Sequence, residues 1–193
     1  MQVSVKVDAS GYLTVALLIL TLPLKWILAA MIAAGFHELC HILVILLTGG
    51  KIYSIRIGSC GTILEYSPLT LGKAFFCALA GPMGSLFLLC FCRTIPRIAF
   101  CAGVQGIFNL LPLFPLDGGQ MLQCCIRQLL PEKTADSVCK ILEELVSVAI
   151  LAAGIVAALW FRLGLFPLVA GILILSKAIL RKIPCKETNL GVQ

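Results

Sequence analysis

Residues 26–47 read WILAAMIAAGFHELCHILVILL, an unbroken apolar stretch with one charged side chain, Glu38. As an α-helix it would rise about 33 Å at ~1.5 Å per residue, roughly the thickness of a bilayer's hydrocarbon core. A helix apolar on nearly every side has to be buried, and in a small chain the medium able to bury it is lipid. The rest of the chain agrees. Of its 193 residues, 60% are hydrophobic and 12% charged, against about 45–50% and about 25% in an ordinary soluble domain. The net charge of +6 does not point to nucleic acid, because the basic residues form no single block. Read as topology markers, they report which loops face the cytoplasm.

Six apolar segments can be marked, at about residues 12–22, 26–47, 74–92, 98–122, 145–161 and 165–180. The first is short, and the fourth is broken by Pro112, Pro115 and Gly118-Gly119. A broken helix is tolerated at membrane depth only where protein or a wet cavity buries it, so the break itself marks a candidate site. The expected fold class is an all-α polytopic membrane protein, with about six transmembrane helices and a small membrane-associated β-hairpin or sheet. Six spans put both termini on one side. Lys6, Lys51, Arg56, Lys73 and the basic residues around 127–140 and 177–186 gather on that side, leaving Lys25, Arg93, Arg97 and Arg162 opposite. The positive-inside rule then makes both termini cytoplasmic.

KIYSIRIGSCGTILEY, residues 51–66, alternates on both sides of a Gly-Ser-Cys-Gly turn and predicts a hairpin. VSVKV at 3–7 alternates too and can add a third strand. Residues 131–145 carry charges at the spacing of an amphipathic helix. No cleavable signal sequence is expected at the N-terminus, where no small-residue cleavage site follows a short apolar core. The ten cysteines show no CxxC pair. They read as small polarizable residues of a reducing compartment rather than as a disulfide framework.

His37-Glu38-Leu39-Cys40-His41 has the HExxH pattern. Residues i and i+4 of a helix share a face, so both imidazoles can reach one ion. Zinc takes imidazole nitrogen well, and a catalytic site has three protein ligands with one position left for water. Glu38 is then placed as the general base for that water. HExxH also occurs by chance in soluble proteins. Here, however, both of the chain's histidines lie in the motif, and of nine acidic residues only Glu38 and Asp117 fall within apolar segments. Ionisable groups inside a span are costly and usually functional. Asp117, in FNLLPLFPLDGGQML at 108–122, is the candidate third ligand. Its bland alternative is to cap a restarting helix, a position Asp favours. Segments two and four both run from outside to inside, and in each the polar group comes late, so the two groups lie at similar depth.

These residues resemble the site-2 protease family of intramembrane zinc metalloproteases. HExxH at 37–41 matches its first motif. Asn109-Leu110-Leu111-Pro112, followed by Pro115-Leu116-Asp117-Gly118, matches its Asn…Pro…Asp-Gly signature, and Ala80-Gly81-Pro82 matches its Gly-Pro element. Three residues beyond that proline many members have Asn, where this chain has Ser85. The chain is most similar to the compact bacterial branch that includes the sporulation stage IV FB-type proteases. The resemblance implies one integral membrane metalloprotease domain over 1–193, with a catalytic core at about 3–122 and additional helices at about 131–180. It implies Zn²⁺ held by His37, His41 and Asp117, with Glu38 as general base. It implies hydrolysis of peptide bonds in or near transmembrane segments, in a bacterial cell membrane. Asn109 is the candidate stabiliser of the oxyanion, with a helix-to-helix hydrogen bond as its alternative. The expected partners are a membrane-protein substrate, such as a sigma or anti-sigma factor, and the lipid bilayer. No nucleic acid is expected, and an oligomer is compatible. An unwound substrate can pair with a sheet edge, for which the run at 51–57 is the expected strand. Gly81-Pro82 reads as a packing element. Two rival readings are a metal-ion transporter, which would need polar residues along a whole pathway, and a non-catalytic membrane scaffold of the same fold.

Overall fold

The structure is a computed structural model. It describes residues 4–7, 22–58, 61–114 and 116–160, with single positions between 9 and 20. In chain order these form β1 (Ser4–Val7), α1 (Leu24–Leu47), β2 (Ile52–Gly58), β3 (Gly61–Tyr66), α2 (Leu71–Leu89), α3 (Pro96–Asn109), α4 (Asp117–Leu129) and α5 (Glu132–Trp160). The chain divides into two compact units, residues 1–110 and 111–193.

In the first unit, α1 starts directly behind Pro23, whose extended backbone leads into the helix. It stops at Thr48-Gly49. Thr48 folds its hydroxyl back onto the Val44 carbonyl at 2.8 Å, and Gly49 takes the left-handed φ of 83° that favours glycine at a helix end. Every fourth residue from Ala29 to Ile45 is buried: Ala29, Ala33, His37, His41 and Ile45. The large aliphatic residues Leu28, Met31, Ile32, Leu39, Leu43 and Leu46 point outward. α2 and α3 pack through small residues too. α2 buries Ala78, Gly81 and Ser85, and α3 buries Ala99, Ala102, Gly103 and Gly106. Small residues let helix backbones approach closely, the device that membrane helices use in place of a hydrophobic drive. Ala33, Leu88 and Ala102 join the three helices in one cluster.

The three strands form one sheet in the order β1-β2-β3. β1 runs parallel to β2, with Val5 opposite Ile55, and β2 runs antiparallel to β3, with Ile55 opposite Leu64. The expected hairpin and third strand are present. The expected edge is not where the sequence put it. β2 is the central strand and spends both sides on β1 and β3, so among the described residues the outer edges belong to those two. Ile52 packs with Ile45 and Cys77, which ties the sheet to α1 and α2.

In the second unit, α4 begins at Asp117 and ends at Leu129, and the next residue, Leu130, is held in extended backbone by Pro131. α5 then runs unbroken through both the expected amphipathic helix and the expected fifth span. The two fuse because neither Gly nor Pro occurs between Glu132 and Ala153. Arg127 and Asp136 join α4 to α5 by a 2.9 Å ion pair.

Among the described residues two helices have the length and composition of a membrane span, α1 and α2. The fourth apolar segment is two shorter helices, α3 and α4, rather than one interrupted span. Most of the first segment and all of the sixth lie outside the described residues, as do Ser59 and Cys60 of the hairpin turn and Pro115.

Candidate metal centre and active site

α1 carries the HExxH residues in its fourth and fifth turns. His37 and His41 fall on its buried stripe, while Glu38, one step round the helix, is half-buried. The two Nε2 atoms stand 3.2 Å apart. Each ring is held from behind by α2. Nδ1 of His41 donates to the Cys77 carbonyl at 2.7 Å. Nδ1 of His37 meets Oγ of Ser85 at 2.8 Å.

For neutral rings, these partners assign a tautomer to each. A carbonyl can only accept, so Nδ1 of His41 carries the proton and Nε2 a lone pair. At His37, the Asn109 amide nitrogen lies 3.1 Å from Nε2. That nitrogen can only donate, so Nε2 of His37 accepts and Nδ1 carries the proton toward Ser85. For neutral rings the two Nε2 atoms are then the unprotonated nitrogens, 3.2 Å apart. Two nitrogens at about 2.0–2.1 Å from a tetrahedral zinc would stand about 3.3 Å apart, so the pair fits such an ion.

Gly81 leaves the space for this. A Cβ at that position would lie 2.5 Å from Nε2 of His37 and would collide with Nε2 of His41 as well. The Gly-Pro element is thus more than a packing device, since its glycine leaves room for both Nε2 atoms. Pro82 follows it, fully buried inside α2. It lacks the N–H that would bond the Ala78 carbonyl, next to Cys77, whose own carbonyl serves His41.

Asn109 is the last residue of α3 and half-buried. Its observed contact with His37 is a helix-to-helix hydrogen bond, one of the two readings its sequence allows. Asp117 belongs to the second unit. It is buried and is the first residue of α4, and Leu116 rather than Asp117 occupies the cap position. The alternative capping role is not what the backbone uses, although an acid in the first turn still suits the helix dipole. Gly119 packs directly on the Leu113–Phe114 peptide, where a Cβ would lie 2.5 Å from the Phe114 nitrogen. The Asp-Gly-Gly run therefore closes a tight turn that buries Asp117.

Sequence reading missed the roles of Cys77, Gly81 and Ser85. A signal was present: residues 77, 81 and 85 are spaced by four, matching the spacing of His37 and His41 on a facing helix.

The solved site-2 protease from Methanocaldococcus jannaschii has this fold. The two share 15% identity over 100% of this chain and 97% of that one, at a TM-score of 0.69. The profile of the Peptidase M50B-like family matches residues 11–108, about half of the chain, and that of Peptidase family M50 matches residues 84–153. The chain belongs to the site-2 protease family. The first match contains the HExxH residues and the second contains Asp117. No curated relative matches by sequence. Membership makes this a membrane-embedded metallopeptidase, and the alignment of two buried imidazoles on an apolar helix agrees.

Proposed function

We propose that this site-2 protease is a zinc endopeptidase that cleaves membrane-associated segments of other proteins, with His37, His41 and Asp117 as the metal ligands. The observation that carries this reading is the facing pair of Nε2 atoms at 3.2 Å, each with its Nδ1 tied down. Asp117 completes the set by chemistry, as the remaining acid of the apolar segments, on a turn that matches the family signature. When bound, zinc supplies Lewis acidity and lowers the pKa of water to about 7.

The chain's own groups supply the rest. Glu38, beside His37, takes a proton from water and returns it to the leaving amine. Asn109 lies within reach of the metal-facing edge of His37, so its amide N–H groups are placed to stabilise negative charge on the reacting carbonyl oxygen. The apolar faces of α1 and α2 exclude bulk water, which strengthens each of these interactions. The substrate segment has to be unwound, because a helical peptide bond is shielded by its own hydrogen bonds. Both termini are read as cytoplasmic, so a tag at residues 93–97 is expected to report the opposite side. The resemblance to the sporulation-type branch suggests a sigma or anti-sigma factor as the substrate of a regulated intramembrane cleavage.

The test is Glu38→Gln in purified protein. Zinc content is expected to stay at the wild-type level while cleavage of a transmembrane model substrate falls by about 10²–10⁴-fold, the usual share of general acid–base catalysis. Cleavage at the wild-type rate would remove Glu38 as the base and favour a metal transporter.

A further inference from the structure

The two imidazoles are anchored differently. His41 is held by a backbone carbonyl, that of Cys77. His37 is held by a side chain, Ser85, which is 0% exposed and the only buried polar side chain of α2. Cys77, Gly81 and Ser85 lie on one stripe of α2, two helical turns from end to end. The outer two each meet one ring, and the middle one backs both metal-facing nitrogens. α3 closes over the stripe from the other side, where a Cβ on Gly106 would lie 2.8 Å from the Ser85 Cβ.

We propose that Ser85 is the positioning residue for His37. Its Oγ accepts the Nδ1–H and so holds the ring in the tautomer and rotation that turn Nε2 toward the metal. The assignment rests on the reading of His37 and His41 as metal ligands. An imidazole with no partner on Nδ1 can flip about its terminal torsion or move its proton to Nε2, and either change removes the donor atom. Metal-bound histidines generally have such a partner, and losing it typically costs about 10–100-fold in metal affinity or activity. His41 cannot lose its partner by side-chain substitution, because the partner is main chain. His37 can. The metal centre therefore has one anchor that is open to mutation and one that is not.

Packing alone makes a different forecast. Alanine fills the same space beneath Gly106 as serine does, less one oxygen, so a purely steric Ser85 tolerates the change. The experiment compares Ser85→Ala with wild type and with Leu88→Ala, which opens the α1–α2–α3 cluster without touching either ring. Zinc affinity is measured by chelator competition, and the imidazole nitrogens are followed by NMR after ¹⁵N-histidine labelling. With two histidines in the chain, the spectrum carries only two rings to assign. Ser85→Ala is expected to weaken zinc binding about 10–100-fold and to shift the His37 ring signals while leaving those of His41. Leu88→Ala is expected to lower the melting temperature with zinc affinity near wild type. Unchanged affinity and unchanged His37 signals in Ser85→Ala would overturn the assignment, and so would an equal loss of affinity in Leu88→Ala. His37→Ala and His41→Ala separate the two levels. If they abolish zinc binding and Ser85→Ala does nothing, only the role of Ser85 falls. If they leave zinc binding intact, the metal reading itself falls.

Discussion

Helix α1 and the first half of α5 sort their side chains by opposite rules. α1 buries two histidines among alanines and turns Met31, Ile32, Leu39 and Leu43 outward. The first turns of α5 bury Ala135 and Cys139 and turn Glu132, Lys133, Asp136 and Lys140 outward. Both are regular helices, so the backbone does not explain the difference. The solvent does. Where lipid surrounds a helix, large aliphatic groups cost nothing on the outside and the few polar groups are gathered inside. Where water does, charges face out and the apolar stripe turns in. α5 crosses from one rule to the other along its length, since Leu145, Val148 and Val156 are exposed beyond the charged half.

The comparison can be broken in four places, and the largest effect belongs to the polar interior of the lipid-facing unit. Gly81→Ala drives a methyl group onto both imidazoles. Purified protein should then carry little zinc by elemental analysis, whereas Gly72→Ala in the same helix, with nothing within 4 Å, should carry the wild-type amount. Retained zinc in Gly81→Ala would mean that α2 does not wall the site. Ile45, fully buried where α1 meets β2, comes next. Truncation to Ala should cost about 2–5 kcal/mol in a denaturation midpoint series. The outer face of α1 follows. Ile32→Arg, at a position 54% exposed near the middle of the helix, should cost about 2.5–3.5 kcal/mol in an insertion assay. A neutral result there would show that this face meets water or protein instead of lipid. The smallest effect is expected on the wet half of α5, where Lys140→Leu should change stability by no more than about 0.5 kcal/mol. A large gain in membrane insertion from that change would place this half in lipid as well.

Much of the candidate site was legible in one dimension because its chemistry is conspicuous against an apolar background. A glutamate between two histidines stands out in a run such as residues 26–47, and Asp117 stands out for the same reason in 108–122. The hairpin was legible from its alternation, and the broken fourth segment from its prolines. The central place of β2 was not. Alternation states which residues share a face, but it does not state which neighbours a strand takes, and β1 arrives from 45 or more residues upstream. The fusion of the amphipathic segment with the fifth span was also missed, because a change of solvent along a helix looks like a boundary when only hydropathy is read.

What the sequence determined by itself was the medium, the family and the candidate reactive groups, since each depends on residue type and local spacing. What the tertiary structure alone decided was how two of those groups are held. Ser85 and the carbonyl of Cys77 lie 48 and 36 residues from the rings they orient. Gly81 matters because the Nε2 atoms lie where its side chain would be. A glycine, a serine and a main-chain oxygen carry no chemical label in a sequence. They acquire one only when helix packing sets them against an imidazole, because hydrogen bonds and steric exclusion act over a few ångströms of space whatever the separation along the chain.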